Sequence, residues 1–253
     1  MRLEKRTLER FIRKYYLNGL CKRVRWSSDN GTLRVRTMSA DRKLFVGITW
    51  TNCARFDAPE IAIEDTSTLL ALLASIPSGD IALHVVNAPS GVVPPGEVLV
   101  IHDQKCELRY PLAELRADDP APRMKALPTY NVQITLSEDV IAWVLRGTSG
   151  LPDWDFFGLA MSDCNQAIEL VLRPHCSSHS AGISIQPETA NCKGSVGVPI
   201  YFRAQYLREV LAATSVRRDL ILKVADAGLA SICYSEDEFE CEHHLVRMQV
   251  VQD

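Results

Sequence analysis

The chain has 253 residues, 47% hydrophobic and 23% charged, a balance that suits a soluble globular protein of one large domain or two of about 120 residues. No apolar run approaches the ~20 residues of a membrane span, and the longest, residues 69–76, stops far short. The N-terminus is charged from the start and lacks the apolar core of a signal peptide. A cytoplasmic location (host cytoplasm if the source is viral) and no membrane partner are therefore expected, and the eight scattered cysteines read as free thiols.

The net charge of −3 conceals a strong segregation. Residues 1–36 carry eleven Lys and Arg against Glu4, Glu9 and Asp29, a local balance of +8. Residues 57–119 carry eleven acids against Lys105, Arg109 and Arg116, a balance of −8. One surface can thus be basic while the remainder repels a polyanion.

The first pattern along the chain is helical. Over residues 3–17, Leu8, Phe11, Ile12 and Tyr15 recur at three- and four-residue steps. Arg6, Arg10 and Arg13 fall nearly opposite this stripe, with Arg2 and Lys14 beside them. Strand-like runs follow at residues 22–26, 32–38, 44–50 and 60–64, separated by turn residues. Asp65 or Thr66 then caps a helix over residues 67–76, which ends at Pro77-Ser78-Gly79. Strands at 81–86, 98–102 and 105–110 complete the first half.

Residues 117–128 contain three prolines and no periodicity. The expected division is a domain over 1–118, a linker over 119–128 and a second domain over 129–253. The second half replays the first: a strand at 131–136, a helix at 137–147 capped by Ser137, strands at 156–162, 167–172, 181–186 and 198–201, a helix at 202–214, and strands at 220–225, 230–234 and 244–250. Phe11, Ile12, Tyr15 and Tyr16 match Val140, Ile141, Val144 and Leu145 at an offset of 129. Ile63, Leu69, Leu70 and Leu73 match Ile200, Tyr206, Leu207 and Val210 at 137, and Asp80-Ile81-Ala82-Leu83 matches Asp219-Leu220-Ile221-Leu222 at 139. Two helices among many strands in each half predict an α+β fold, with antiparallel sheets carrying both helices on one face.

Two segments carry a family resemblance. In VPIYFRAQYLREVLAATSVRRDLILKVADAGLASICY, residues 198–234, a strand feeds a helix containing Phe202, Tyr206 and Leu207. A short loop and the alternating run Leu220, Leu222, Val224 follow, then a strand ending in Tyr234. Residues 61–85, IAIEDTSTLLALLASIPSGDIALHV, are the equivalent unit of the first half. This arrangement resembles the DNA sliding clamps, both the proliferating-cell-nuclear-antigen type and the shorter clamps of tailed phages. The resemblance implies two pseudo-repeated processivity-clamp domains and a non-enzymatic protein that closes into a head-to-tail homotrimer around duplex DNA. Helices would line the hole, and a DNA polymerase and a clamp loader would be partners. No cofactor and no metal are implied. The short linker and the chain length point to a phage source.

A clamp of this kind needs phosphate contacts that ignore base sequence. The helical faces nominate Arg2, Lys5, Arg6, Arg10, Arg13 and Lys14 on the first helix, Arg146 on the third and Arg208 on the fourth, with Arg217 and Arg218 in the following loop. Residues 67–76 hold no charge and make a neutral lining. By resemblance, Lys105, Cys106, Glu107, Leu108, Arg109 and Tyr110 of one subunit pair with Ala181, Gly182, Ile183, Ser184, Ile185 and Gln186 of the next. Also by resemblance, Leu127, Pro128, Tyr130, Met248 and Val250 wall a pocket for a partner's apolar peptide.

Other motifs carry less. His175-Cys176 with His179, and Cys241 with His243 and His244, lack the paired Cys-x-x-Cys spacing of a structural zinc site. Gly194-Ser195-Val196-Gly197 precedes a strand, where a phosphate cradle needs a helix N-terminus. The competing readings are a β-rich DNA-binding or structural protein that forms no ring, and a small hydrolase using Asp153, Asp155 and His175.

Overall fold

The computed structural model describes residues 1–53, 56–87, 96–115, 126–150, 155–161, 168–173, 183–185, 192–195, 197–214 and 220–248. The chain divides into two units. Unit 1 holds Met1–Ala40, Phe45–Arg123 and Ser235–Cys241; unit 2 holds Asp41–Leu44, Met124–Tyr234 and Glu242–Asp253. Residues 119–125 of the expected linker lie outside the described residues.

Unit 1 runs β1 (Arg2–Glu4), α1 (Lys5–Tyr16), a 3-10 turn (Leu17–Gly19), β2 (Val24–Asp29), β3 (Thr32–Met38), β4 (Leu44–Trp50), β5 (Glu60–Ile63), α2 (Thr66–Ser75), β6 (Asp80–Asn87), β7 (Glu97–His102) and β8 (Glu107–Pro111). Two antiparallel sheets result. One has the order β1-β6-β7-β8; in the other β5, β2, β3 and β4 lie side by side. α1 covers the second sheet because its apolar stripe meets the inward residues of the strands. Phe11 sits 5.6 Å from Trp26 of β2 and 5.5 Å from Trp50 of β4, centroid to centroid. Buried Tyr15 accepts the Trp26 indole hydrogen bond at 3.2 Å, so neither polar atom is stranded. α2 starts where the Asp65 carboxylate accepts from the Ser67 backbone N–H at 3.0 Å.

Unit 2 repeats the plan with β9 (Val132–Leu136), α3 (Glu138–Gly150), β10 (Phe156–Met161), β11 (Ile168–Arg173), β12 (Ile183–Ile185), β13 (Cys192–Lys193), β14 (Ile200–Arg203), α4 (Ala204–Ala213), β15 (Leu220–Ala225), β16 (Leu229–Glu236) and β17 (Phe239–Val246), except that the tip of the last hairpin, Ser235–Cys241, belongs to unit 1. Its strand order β9-β15-β16-β17 mirrors β1-β6-β7-β8, and β14-β10-β11-β12 mirrors β5-β2-β3-β4. In each unit the two helices pack against each other, α1 on α2 and α3 on α4. The fold is α+β with two pseudo-repeated domains.

Several sequence expectations need correction. Arg2 is on a strand, not on the first helix: Arg2–Glu4 pairs with β6, and the Met1 ammonium donates to the Leu83 carbonyl at 2.8 Å. Pairing with a sheet edge overrides the helical pattern there. The offset of 129 is one helical turn out of step, since α1 and α3 begin at residues 5 and 138. A stripe that recurs every turn matches equally well one turn away. The offset of 137 is likewise one residue short, because α2 and α4, each ten residues long, begin at 66 and 204. The last strand begins at Phe239, not at residue 244. Buried Phe239, Cys241 and His243 alternate with exposed Glu240 and Glu242, a one-sided strand that reads as an acidic turn when only its charge is weighed.

Among the described residues, no helix is long and apolar enough to cross a membrane.

Candidate nucleic-acid interface

α1 buries Leu8, Phe11, Ile12 and Tyr15 and leaves Arg6 and Arg13 exposed on the opposite arc. Neither guanidinium has an ion-pair partner among the described residues. Arg2 is exposed on β1, one strand-to-helix step away. α2 beside it presents Ser67, Thr68, Ala71, Ala74 and Ser75, a neutral face of small side chains. In unit 2, α3 exposes Arg146 and α4 exposes Gln205.

Four other nominated cations, Lys5, Arg10, Lys14 and Arg208, are engaged within the protein. Lys5 donates to the Ile76 carbonyl at 2.6 Å, fixing the start of α1 to the end of α2. Lys14 is 1% exposed, with its ammonium 2.6 Å from Glu236 Oε2. It therefore cannot serve as a phosphate ligand: on the helical wheel it lies between the solvent arc and Phe11, and a buried acid draws it inward. Arg10 lies 2.8 Å from Glu236 Oε1 and 2.6 Å from Asp237 Oδ2, with its guanidinium 5.3 Å above the Phe239 ring. Burial pulls the Arg10 pKa down, but hydrogen bonds to Asp237 and Glu236 outweigh it and leave the value above the ordinary one. Arg208 is paired with its neighbour Glu209 at 2.5 Å. Arg217 and Arg218 lie outside the described residues.

The two strands nominated for subunit pairing are both sheet edges. β8 ends the order β1-β6-β7-β8, and β12 ends the order β12-β11-β10-β14. Leu112 N–H bonds to the Glu97 carbonyl at 2.9 Å and Asp103 N–H to the Cys106 carbonyl at 3.0 Å, so residues 106, 108, 110 and 112 face β7. Alternation leaves the backbone groups of Glu107 and Arg109 pointing away from the sheet, with Pro111 offering only an acceptor. Lys105 and Cys106 belong to the preceding turn, not to the strand, because Asp103 Oδ1 accepts both of their N–H groups at 2.7 Å. The Tyr110 side chain points inward, where its hydroxyl accepts from Asp65 N–H at 2.9 Å and donates to the Asp65 carbonyl. On β12, Ser184 is exposed, while Ala181, Gly182 and Gln186 lie outside the described residues.

The duplicated plan has a counterpart among solved structures. Over 97% of this chain and 96% of the other, it superposes on the proliferating cellular nuclear antigen of Entamoeba histolytica with a TM-score of 0.69, at 12% sequence identity. The chain has a sliding-clamp fold. No family model matches the sequence, and no curated protein matches it either. At that identity the likeness speaks for the backbone alone, so the clamp residues have to be argued from chemistry.

Of the five residues nominated for a peptide pocket on this clamp fold, Leu127 is 53% exposed and Pro128 is half-buried. The Tyr130 hydroxyl is 2.5 Å from Ser231 Oγ, and Met248 N–H bonds to the Tyr201 carbonyl at 2.8 Å. These bonds anchor Tyr130 and Met248 to different strands of unit 2, and Val250 lies outside the described residues.

The partners that hold several of these side chains were not among the expected site residues. Ser231 Oγ also contacts buried His244 Nδ1 at 2.6 Å, forming a Tyr130–Ser231–His244 chain. Burial lowers the His244 pKa from its ordinary value, against a smaller upward pull from Glu242. The alternating pattern at Glu236–Glu242 was the available signal for the Arg10 and Lys14 partners. Among the described residues, no three His, Cys, Asp or Glu side chains converge to hold a metal. His243 and His244 are neighbours on a strand and project to opposite faces. His175, Cys176, His179 and Asp153 lie outside the described residues, and Asp155 is exposed with its carbonyl taken by Ala204 N–H. Gly194 owes its place to geometry: at φ 92°, a Cβ there would collide with the Asn131 carbonyl.

Proposed function

We propose that the protein is a DNA sliding clamp: a head-to-tail homotrimeric ring that encircles duplex DNA without reading its sequence and tethers a polymerase, with a loader to open it. The observation that carries this reading is the sliding-clamp fold over essentially the whole chain, joined to a helix that turns to solvent two arginines without an ion pair among the described residues. The position of β8 and β12 at sheet edges supports a ring closed by pairing β8 of one subunit with β12 of the next. The working location is cytoplasmic, with the replicating DNA.

The phosphate-facing set is Arg2, Arg6 and Arg13 in unit 1 and Arg146 in unit 2. Arg10 is a reserve cation held by acids, and Lys14 is structural. Isolated guanidinium groups on a helix contact phosphate without any deep minimum along the duplex, which suits retention with sliding. The test is gel filtration on nicked circular DNA at rising salt. The wild type should stay with circular DNA and leave when the DNA is linearised. Arg6→Glu with Arg13→Glu should lose retention at lower salt with an unchanged melting temperature. Equal retention in the double variant would remove the DNA-facing role of α1.

A further inference from the structure

The basic ridge of α1 faces an acidic hairpin tip in the same unit. Glu236 bridges Lys14 and Arg10 with its two oxygens, and Asp237 takes the Arg10 guanidinium from the solvent side. We infer that Asp237, seated beside Glu236, holds Arg10 back from DNA phosphate and thereby sets how tightly α1 grips the duplex. The inference rests on the proposed DNA-binding function and deepens it.

The two acids play different parts. Glu236 is 7% exposed and tied to buried Lys14, so it belongs to the packing of α1. Asp237 is 62% exposed at the turn between β16 and β17, and Arg10 is its one partner among the described residues. A phosphate oxygen approaching Arg10 has to displace this carboxylate, which already supplies the same charge-assisted hydrogen bond. The exposed acid also adds a negative charge at the ridge's edge. Both effects leave Arg6 and Arg13 as the ready contacts and make each binding position along DNA shallower.

The position offers a clean variant. Asp237 has φ 50°, a left-handed turn conformation that asparagine tolerates as well as aspartate. Asp237→Asn removes the charge and keeps the shape. Glu240→Gln is the control: Glu240 is exposed on the same hairpin, has no ion pair among the described residues, and changes net charge by the same amount.

The experiment is co-elution of the full-length protein with labelled nicked circular DNA, across salt concentrations. Asp237→Asn should bind more tightly at low salt and steepen the log–log salt dependence by about 0.9 per subunit, equivalent to one further phosphate contact and roughly a 3.5-fold greater loss of affinity between 50 and 200 mM salt. Its melting temperature should stay within about 2 °C of the wild type, as expected for an exposed ion pair. Glu240→Gln should leave the slope unchanged. A wild-type slope in Asp237→Asn, or the same steepening in Glu240→Gln, overturns the inference while leaving DNA binding intact. Absence of binding by the wild type at every salt concentration overturns the DNA-binding reading and this inference together.

Discussion

Two groups of buried polar side chains in this protein are held in chains of partners. Lys14 and Glu236 are nearly sealed from water, and each makes the other's charge tolerable; removing one partner of such a pair typically costs about 3–5 kcal/mol. Tyr130, Ser231 and His244 form a second chain, with the imidazole kept neutral by burial. This has a pH consequence. The folded-state pKa of His244 lies below the ordinary 6.5, so the unfolded chain binds the proton more readily. Stability is therefore complete above about 6.5 and falls as pH drops below it. Thermal melts between pH 7 and pH 5 should show this decline, and His244→Gln, which keeps a hydrogen-bonding group toward Ser231, should flatten it. Parallel curves for the two proteins would show that His244 does not titrate with unfolding.

At the level of elements, α1 illustrates how far periodicity reaches. The spacing of Leu8, Phe11, Ile12 and Tyr15 gave its buried stripe and its exposed arginines, because a helix face is set by local geometry. The same spacing misplaced Arg2 and Lys14. Their positions depend on a sheet edge formed with residues 80–82 and on an acid more than 200 residues away. Strands β3, β4 and β15 were legible to the residue from turn chemistry and alternation, whereas β17 hid under its acidic face. Edge strand β8 carries a prediction at this scale. The Arg109 N–H points away from β7, so proline there removes no backbone hydrogen bond to β7 and, among the described side-chain contacts, only the exposed Arg109–Glu107 pair at 2.9 Å. Arg109→Pro should leave a folded monomer that no longer assembles, as read by circular dichroism and native mass spectrometry. A variant that assembles like the wild type would place the subunit contact elsewhere.

For the molecule as a whole, the decisive feature is duplication. Two units with the same strand orders and the same helix pairing came from a chain whose halves share little more than a hydrophobic pattern. The order of elements was visible in the sequence because burial fixes the spacing of apolar residues. The exact offsets were not, because a periodic stripe aligns with itself at every turn. The outer strand edges, proposed above as the subunit contacts, leave no mark of their own in a single sequence: unpaired backbone looks like any other backbone. Ring formation is therefore the claim on which the functional account stands. Negative-stain electron microscopy of the purified 28.2 kDa chain tests it most directly. Three-fold rings with an open centre wide enough for duplex DNA are expected; a field of compact monomers, or of closed particles without a central hole, would rule out ring formation.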